Sequence, residues 1–177
     1  MNTTTLKSLP RLAALLAVSA LALTGCAATA APAETVPAGD SVTIADAWVK
    51  ATDEDMSAAF GTLSNDSDQD VTIVSAETDA AGTIELHETV ENEAGEMVMR
   101  EIEGGFSIPA DGTLLLEPGA DHIMLMGLTG ALTAGDEVTV TLTFSDDSTY
   151  EFSAPVKDYS GANENYEGDD EHEGMDH

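Results

Sequence analysis

The sequence predicts an all-β domain, a β-sandwich or small barrel, between about residues 41 and 157. Short apolar runs follow one another along this stretch and are separated by segments rich in Gly, Pro, Asn and Asp. Residues 138–144 alternate strictly between apolar residues and threonine, as expected of a strand with one buried face. No part of this stretch has the periodicity of an amphipathic helix. About a hundred residues are enough for one such core.

Ten strands are predicted, in chain order, from these apolar runs. Turn-forming segments at 64–68, 110–112, 117–120 and 145–148 end four of them. The predicted strands are 42–49, 56–63, 71–74, 83–87, 97–102, 106–109, 113–116, 121–127, 138–144 and 150–153.

The N-terminal segment predicts export and lipid anchoring. Lys7 and Arg11 precede an apolar run at 12–23 that is too short to span a bilayer comfortably, which is typical of a signal peptide at 1–25. The run ends in Leu-Thr-Gly-Cys at 23–26, which resembles the lipobox of bacterial lipoproteins. We therefore expect Cys26 to be lipidated and the chain to be held at the outer face of the cytoplasmic membrane or in the periplasm.

The absence of any cysteine besides Cys26 limits the chemistry of the mature chain. Disulfides, cysteine metal sites and blue-copper centres all require thiols that lipidation would remove. A soft-metal site would therefore have to be built from Met and His side chains.

The two ends of the mature chain differ from the domain in composition. Residues 26–40 are rich in Ala, Pro and Thr and predict a flexible tether. Residues 158–177 are rich in Gly, Asn, Asp and Glu and predict a disordered acidic tail. The whole chain has 5 basic and 34 acidic residues, a formal charge of −29. Such a surface excludes nucleic acid as a partner and restricts membrane contact to the lipid anchor.

The predicted strand at 121–127 carries the candidate metal chemistry. Side chains alternate along a strand, so His122, Met124 and Met126 share one face, while Ile123 and Leu125 share the other. An imidazole beside a thioether suits Cu(I). An isolated His-x-Met is more often a packed strand with an exposed histidine, so the rest of the chain must supply further ligands.

A hairpin around residues 91–96 supplies a second nitrogen–sulfur pair. If the hairpin centres on Glu93, His87 lies opposite Met99 and Thr89 lies opposite Met97. The candidate ligands are then His87, Met99, His122 and Met124. Met97 is the alternative to Met99 as a ligand. If Met97 is not a ligand, it packs in the domain, as Met126 does. Met56 could line the rim of the site or simply begin a strand. Glu85 and Glu88 are predicted to face solvent.

These residues resemble a known family. The periplasmic copper chaperones called PCu(A)C carry the pattern His-x₁₀-Met-x₂₁-His-x-Met, and His87, Met99, His122 and Met124 occur here in that order with one extra residue in each of the two long gaps. The resemblance covers about residues 42–156 and includes the flanking stretches 84–88, 108–110 and 122–128. It implies a cupredoxin-like, Greek-key β-sandwich.

The resemblance further implies a copper chaperone, not an enzyme. Its expected role is to bind Cu(I) outside the cytoplasm and to deliver it to the dinuclear copper site of cytochrome c oxidase. The partners would be the copper-bearing subunit of the oxidase and a thiol-containing copper chaperone or reductase. Two alternatives remain open: a copper-buffering or resistance lipoprotein, and a metal-free Ig-like structural lipoprotein. The missing thiolate disfavours an electron-transfer cupredoxin.

The C-terminal tail repeats the same ligand types in His172, Met175 and His177. One hypothesis is a weaker secondary copper site, able to take Cu(II), because imidazole and carboxylate ligands tolerate a tetragonal ion. The equally weighted alternative is a solubilising tail with incidental histidines.

Overall fold

The computed structural model describes residues 36–160 and 165–166. Within this part of the chain the structure is almost entirely β, which confirms the predicted fold class. One helical turn, α1 (Ala38–Ser41), precedes the strands. The strands are β1 (Val42–Lys50), β2 (Met56–Asn65), β3 (Val71–Glu77), β4 (Ala81–Glu91), β5 (Met97–Glu101), β6 (Phe106–Ile108), β7 (Thr113–Leu116), β8 (His122–Leu128), β9 (Glu137–Phe144), β10 (Thr149–Lys157) and β11 (Asn165–Tyr166). All ten predicted strands are present, with bounds that differ by a few residues.

The strands hydrogen-bond in the order β11-β5-β4-β8-β2-β1-β10-β9-β3-β6, and β7 pairs with β2 beside this path. Most pairs are antiparallel, but β1 runs parallel to β10 and joins the two halves of the sandwich. The hydrophobic core contains side chains from both halves, including Leu63, Ile123 and Leu125 from one and Val140 and Phe144 from the other. The alternation predicted for β9 is observed, since its apolar residues are buried in the core.

The β4–β5 hairpin differs from the predicted register. Glu101 lies opposite His87, and Met99 lies opposite Thr89. The prediction that Met99 opposes His87 is therefore wrong by two residues. Because side chains alternate with a period of two, a shift of two keeps Met99 on the same face of the sheet as His87.

The turn chemistry explains this register. The loop contains three residues between Asn92 and Glu96, whose backbones are joined by a hydrogen bond of 2.8 Å. Asn92 Oδ1 accepts hydrogen bonds from the backbone N–H groups of Ala94 and Glu96. Gly95 takes a positive φ of 82°, as expected at the last position of a three-residue hairpin loop. The turn therefore centres on Ala94 instead of Glu93.

The predicted tether and tail also need correction at their inner ends. Ala38, expected in the tether, is buried against the core. The backbone N–H of Ala38 donates to Asp146 Oδ2 at 2.9 Å, and that of Gly39 donates to Ser148 Oγ at 2.8 Å, so the turn between β9 and β10 holds α1 in place. In the tail, expected to be disordered from Asp158, the backbone of Asn165–Tyr166 instead forms β11 and pairs with β5.

Candidate metal site

Strand β8 is buried on both of its faces. Ile123 and Leu125 are fully buried in the hydrophobic core, as the alternation of this strand predicts. On the opposite face His122 is 2 % exposed and Met124 is 4 % exposed. A polar imidazole is thus buried beside a thioether, away from the main core, which defines a second interior environment in this small domain.

The pairing of β4 with β8 brings together the two histidines that were predicted to be metal ligands. His87 and His122 are directly opposed in the antiparallel ladder, and their ring centroids lie 5.6 Å apart at an interplanar angle of 65°. His87 is completely buried. Directly opposed side chains on one face of a sheet can share an ion. Local sequence patterns could not predict this pairing, because 34 residues separate the two histidines.

The turn before β8 orients His122. Its Nδ1 lies 2.9 Å from the carbonyl oxygen of Ala120, which also accepts a hydrogen bond from Thr89 Oγ1 at 3.3 Å. A carbonyl oxygen can only accept, so Nδ1 of His122 must carry the proton. In the neutral ring the lone pair then lies on Nε2. Such an oriented imidazole is typical of metal ligands.

His87 is oriented by a carboxylate. Its Nε2 lies 2.7 Å from Oε2 of Glu85, whose side chain is 21 % exposed. The carboxylate acts as acceptor, so in the neutral ring Nε2 donates and Nδ1 carries the lone pair. The expectation that Glu85 faces solvent is therefore wrong. Glu88, also expected to face solvent, lies at the surface and pairs there with Arg100 at 2.8 Å.

A cavity of about 200 Å³ opens beside these histidines. His122 and Met124 line it from β8, Met99 lines it from β5, and Met56 lines it from β2. The cavity thus gathers three thioethers and one imidazole, with His87 in ring contact with His122 behind it. The remaining lining residues are Lys50, Glu54, Ser57, Ala58, Phe60, Pro118 and Gly119.

The two remaining methionines of the described part of the chain lie outside this cavity. Met97 is 46 % exposed and lies opposite Glu91, and Met126 is half-buried opposite Thr83 and Met56. The structure therefore favours Met99 over Met97 as the member of the candidate set on β5. Cys26 and the tail residues His172, Met175 and His177 lie outside the described residues.

Two aromatic residues complete the wall of the site. The ring of Phe60 is buried and lies 6.2 Å from the ring of His122. Trp48 packs on Phe60 at 4.6 Å and on Tyr159 at 5.3 Å. Sequence analysis did not associate Phe60 with the site, although its place on β2 at alternate positions from Met56 and Ala58 puts all three on one face.

Among the described residues that line the cavity, Glu54 carries the one carboxylate. Partial burial, followed by the nearby charge of Glu88, raises the pKa of the Asp121 carboxyl above its ordinary value. Across residues 36–160, no three His, Cys, Asp or Glu side chains are grouped so that they could hold a metal ion. A larger concavity of about 580 Å³ is lined by Glu77, Asp79, Glu137 and Glu151 and contains no imidazole or thioether. The candidate site is therefore defined by its donor atoms and not by its size.

Two imidazoles and two thioethers form an uncharged donor set. Thioether sulfur selects Cu(I) over the harder divalent ions, and imidazole suits copper in general. A neutral set would leave one positive charge on bound Cu(I), and the carboxylate of Glu85 is hydrogen-bonded to His87, one of the candidate ligands. The residues present therefore fit a monovalent copper ion.

Solved structures of other proteins have the same fold as this domain. The chain superposes on a structure titled "Copper-bound PCuAC domain from PmoF2" with a TM-score of 0.56 and 16 % identity, over 67 % of this chain and 94 % of that one. It is 35 % identical to a structure titled "Solution structure of CuI-DR1885 from Deinococcus Radiodurans", with a TM-score of 0.52, over 76 % of this chain and 88 % of that one. The domain is thus a cupredoxin-like β-sandwich of the PCuAC type, as the sequence resemblance predicted.

Sequence comparison specifies the family. Residues 42–156 match the model of the family described as LpqE-like, and the chain belongs to that family. It is 48 % identical over 150 residues to a Leifsonia xyli subsp. xyli protein named "Putative lipoprotein Lxx21020", covering 84 % of this chain and 90 % of that protein. The names of the family and of this relative both indicate lipoproteins. No helix within the described ranges is long and apolar enough to cross a membrane.

Proposed function

We propose that this protein is an extracytoplasmic Cu(I) metallochaperone that holds copper with His87, Met99, His122 and Met124. The observation that carries the proposal is the opposed pair His87 and His122, beside a cavity lined by Met99 and Met124. The Deinococcus relative was solved as a CuI form, which supports the same cargo here.

The geometry suits a carrier that must also release its ion. The two histidines and Met124 are buried, so the protein excludes water from the donors. The cavity in front of them is open to the surface through residues such as Met56, which is 43 % exposed. All four proposed donors are neutral, so copper can leave by ligand exchange without an accompanying proton or electron. No catalytic step is proposed.

We propose the dinuclear copper site of cytochrome c oxidase as the destination of the copper, and a thiol-containing copper chaperone or reductase as a companion in delivery. The test is transfer from the Cu(I)-loaded protein to the apo copper domain of the oxidase. Spectroscopic formation of the dinuclear site would support delivery. Retention of all copper by this protein, at equal concentrations of the two proteins, would favour the copper buffer or resistance lipoprotein instead.

Binding itself is tested by titration with a Cu(I) chelator. The chaperone and buffer functions both require one tight Cu(I) site per protein, which His122→Ala should weaken strongly. A wild-type protein that takes up no Cu(I) would contradict both functions and would favour a metal-free structural lipoprotein.

We propose that Cys26 carries the lipid anchor and that residues 27–37 link the anchor to the domain. The proposal rests on the Leu-Thr-Gly-Cys sequence at 23–26 and on the lipoprotein names of the family and the Leifsonia relative. In this arrangement the signal peptide at 1–25 is removed and the domain works at the membrane surface.

We further propose that His172, Met175 and His177 bind copper weakly, including Cu(II), and keep it near the domain. One specific observation supports this. The backbone of Tyr166 pairs with that of Met99, so the last described residue before the tail ligands lies at the edge of the candidate site. Five residues lie between Tyr166 and His172, and the six peptide steps span at most about 20 Å. A short tether of this kind gives a high effective concentration.

A further inference from the structure

The outermost thioether of the candidate site belongs to Met56, the first residue of β2. Its side chain is 43 % exposed, yet it lines the same cavity as Met99, His122 and Met124. Along the same face of β2 the next two residues are buried, Ala58 at 8 % and Phe60 at 2 %. Among the soft donors that line the cavity, Met56 is therefore the one that reaches solvent most fully.

The register of β2 against β8 sets the distance between Met56 and the inner donors. Met56 lies opposite Met126, and Ala58 lies opposite Met124. Met56 and Met124 are thus diagonal neighbours, about 7–8 Å apart for such a pair. A methionine side chain has three rotatable bonds and a polarizable sulfur, so this separation is within the reach of its thioether.

Burial of the inner donors creates a problem of access. His87 is 0 % exposed, His122 is 2 % exposed and Met124 is 4 % exposed, so an external ligand cannot approach an ion at their centre directly. Transfer of copper to an external ligand would be faster if a mobile thioether could bind the ion inside the cavity and carry it to the surface. Met56 has the required donor atom, exposure and position.

We propose that Met56 is a transfer ligand that coordinates Cu(I) transiently during loading and release; this inference rests on the proposed function. During release a bond forms between copper and Sδ of Met56 while one bond to a buried thioether breaks. A ligand of the acceptor then replaces Met56. Every donor that this protein supplies is a lone pair on a neutral atom, so copper remains Cu(I) and this protein releases no proton; a thiol ligand of the acceptor would give up its own proton as it binds copper.

A transfer ligand changes rates in both directions and leaves the equilibrium nearly unchanged. This property separates Met56 from a resident ligand, whose loss lowers affinity, and from a surface residue, whose loss changes neither quantity. The chain offers a matched control in Met97, which has a similar exposure of 46 % and lies outside the cavity.

The experiment compares wild type, Met56→Leu and Met97→Leu, each loaded with one equivalent of Cu(I). Stopped-flow mixing with excess bicinchoninate measures the rate of copper removal, and equilibrium competition with the same chelator measures affinity. We expect Met56→Leu to slow removal by about tenfold and to keep the affinity within about threefold of wild type. Met97→Leu should match wild type in both measurements. Because Met56 is exposed, the substitution should preserve the fold, which thermal unfolding would verify.

Three results would overturn the inference. Removal at the wild-type rate from Met56→Leu would make the side chain a surface residue. A large loss of affinity with faster release would make it a resident ligand. An equal slowing in Met97→Leu would indicate a general surface effect. In all three cases wild type still binds Cu(I), whereas a wild type that retains no Cu(I) contradicts the proposed function, and the inference with it.

Discussion

Replacing Met124 by leucine tests the candidate site most directly. Met124 is 4 % exposed, lies opposite Ala58 of β2 and Glu85 of β4, and lines the cavity. Truncation to alanine would remove the sulfur but would also leave a void, which for a buried methionine costs about 2–5 kcal/mol of stability. Leucine removes the sulfur at nearly constant volume, for which the cost is below about 1.5 kcal/mol. An alanine variant would therefore mix loss of the sulfur ligand with loss of stability, whereas the leucine variant separates the two.

The expected effect on Cu(I) binding is much larger than the effect on stability. Loss of a residue that only orients a ligand typically weakens metal binding by about 10–100-fold. Loss of a ligand should weaken Cu(I) binding by at least about 100-fold. This corresponds to about 2.8 kcal/mol, at about 1.4 kcal/mol per factor of ten. Competition with a Cu(I) chelator measures the affinity, and thermal unfolding of the metal-free protein measures the stability.

Met126→Leu is the matched control for this substitution. Met126 lies two residues further along β8 on the same face, but it does not line the cavity. Its replacement should leave the affinity within about threefold of wild type. Wild-type affinity in Met124→Leu, or an equal loss in both variants, would refute the assignment of Met124 as a ligand.

Four further predictions follow from particular residues. Glu85→Gln keeps a hydrogen-bond acceptor for His87 but removes the negative charge, so Cu(I) affinity should fall by about tenfold or more; an unchanged affinity in a chelator titration would exclude an electrostatic role. Hydrogen bonds from Ser148 and from the backbone of Ala38 lower the pKa of Asp146 below 3.8, so this carboxylate stabilises the fold above that pH and its contribution is lost as the pH falls through the lowered pKa. The difference in melting temperature between wild type and Asp146→Ala should therefore shrink in acid, and a difference that is constant with pH would contradict this account. Cys26→Ser should release the protein from the membrane fraction without changing the Cu(I) affinity, and a variant that stays membrane-bound would exclude the anchor. Truncation after Tyr166, which retains β11, should keep one tight Cu(I) site and remove weaker copper; equal stoichiometry in both proteins would make the tail a solvated end.

Much of the fold was predictable because strands leave a local signal. The alternation at 138–144 fixes the buried face of β9, and the same rule separates the core face of β8 from the face with His122 and Met124. Turn-forming residues mark most strand ends for the same reason, since Gly, Asn and Asp adopt turn conformations within a few residues of sequence. His87, Met99, His122 and Met124 occur in the order of the PCu(A)C pattern, and this order indicated copper as the metal.

Register and partner choice depended on the tertiary structure. Asn92 and Gly95 shift the β4–β5 hairpin by two residues from the simplest assignment, which moves Met99 from His87 to Thr89. A prediction centred on the wrong turn residue keeps the correct faces and loses the correct partners, because faces repeat every two residues while register depends on loop geometry.

By itself, the sequence determined the class of fold, the inventory of soft donors and the absence of a thiol in the mature domain. The tertiary structure alone decided that His87 meets His122, that Glu85 orients His87, and that Met56 lies at the mouth of the cavity. The first contact joins two residues with 34 residues between them, and the cavity joins segments from four strands. Such long-range contacts follow from how a whole sheet closes around its core, and local periodicity carries no information about that closure.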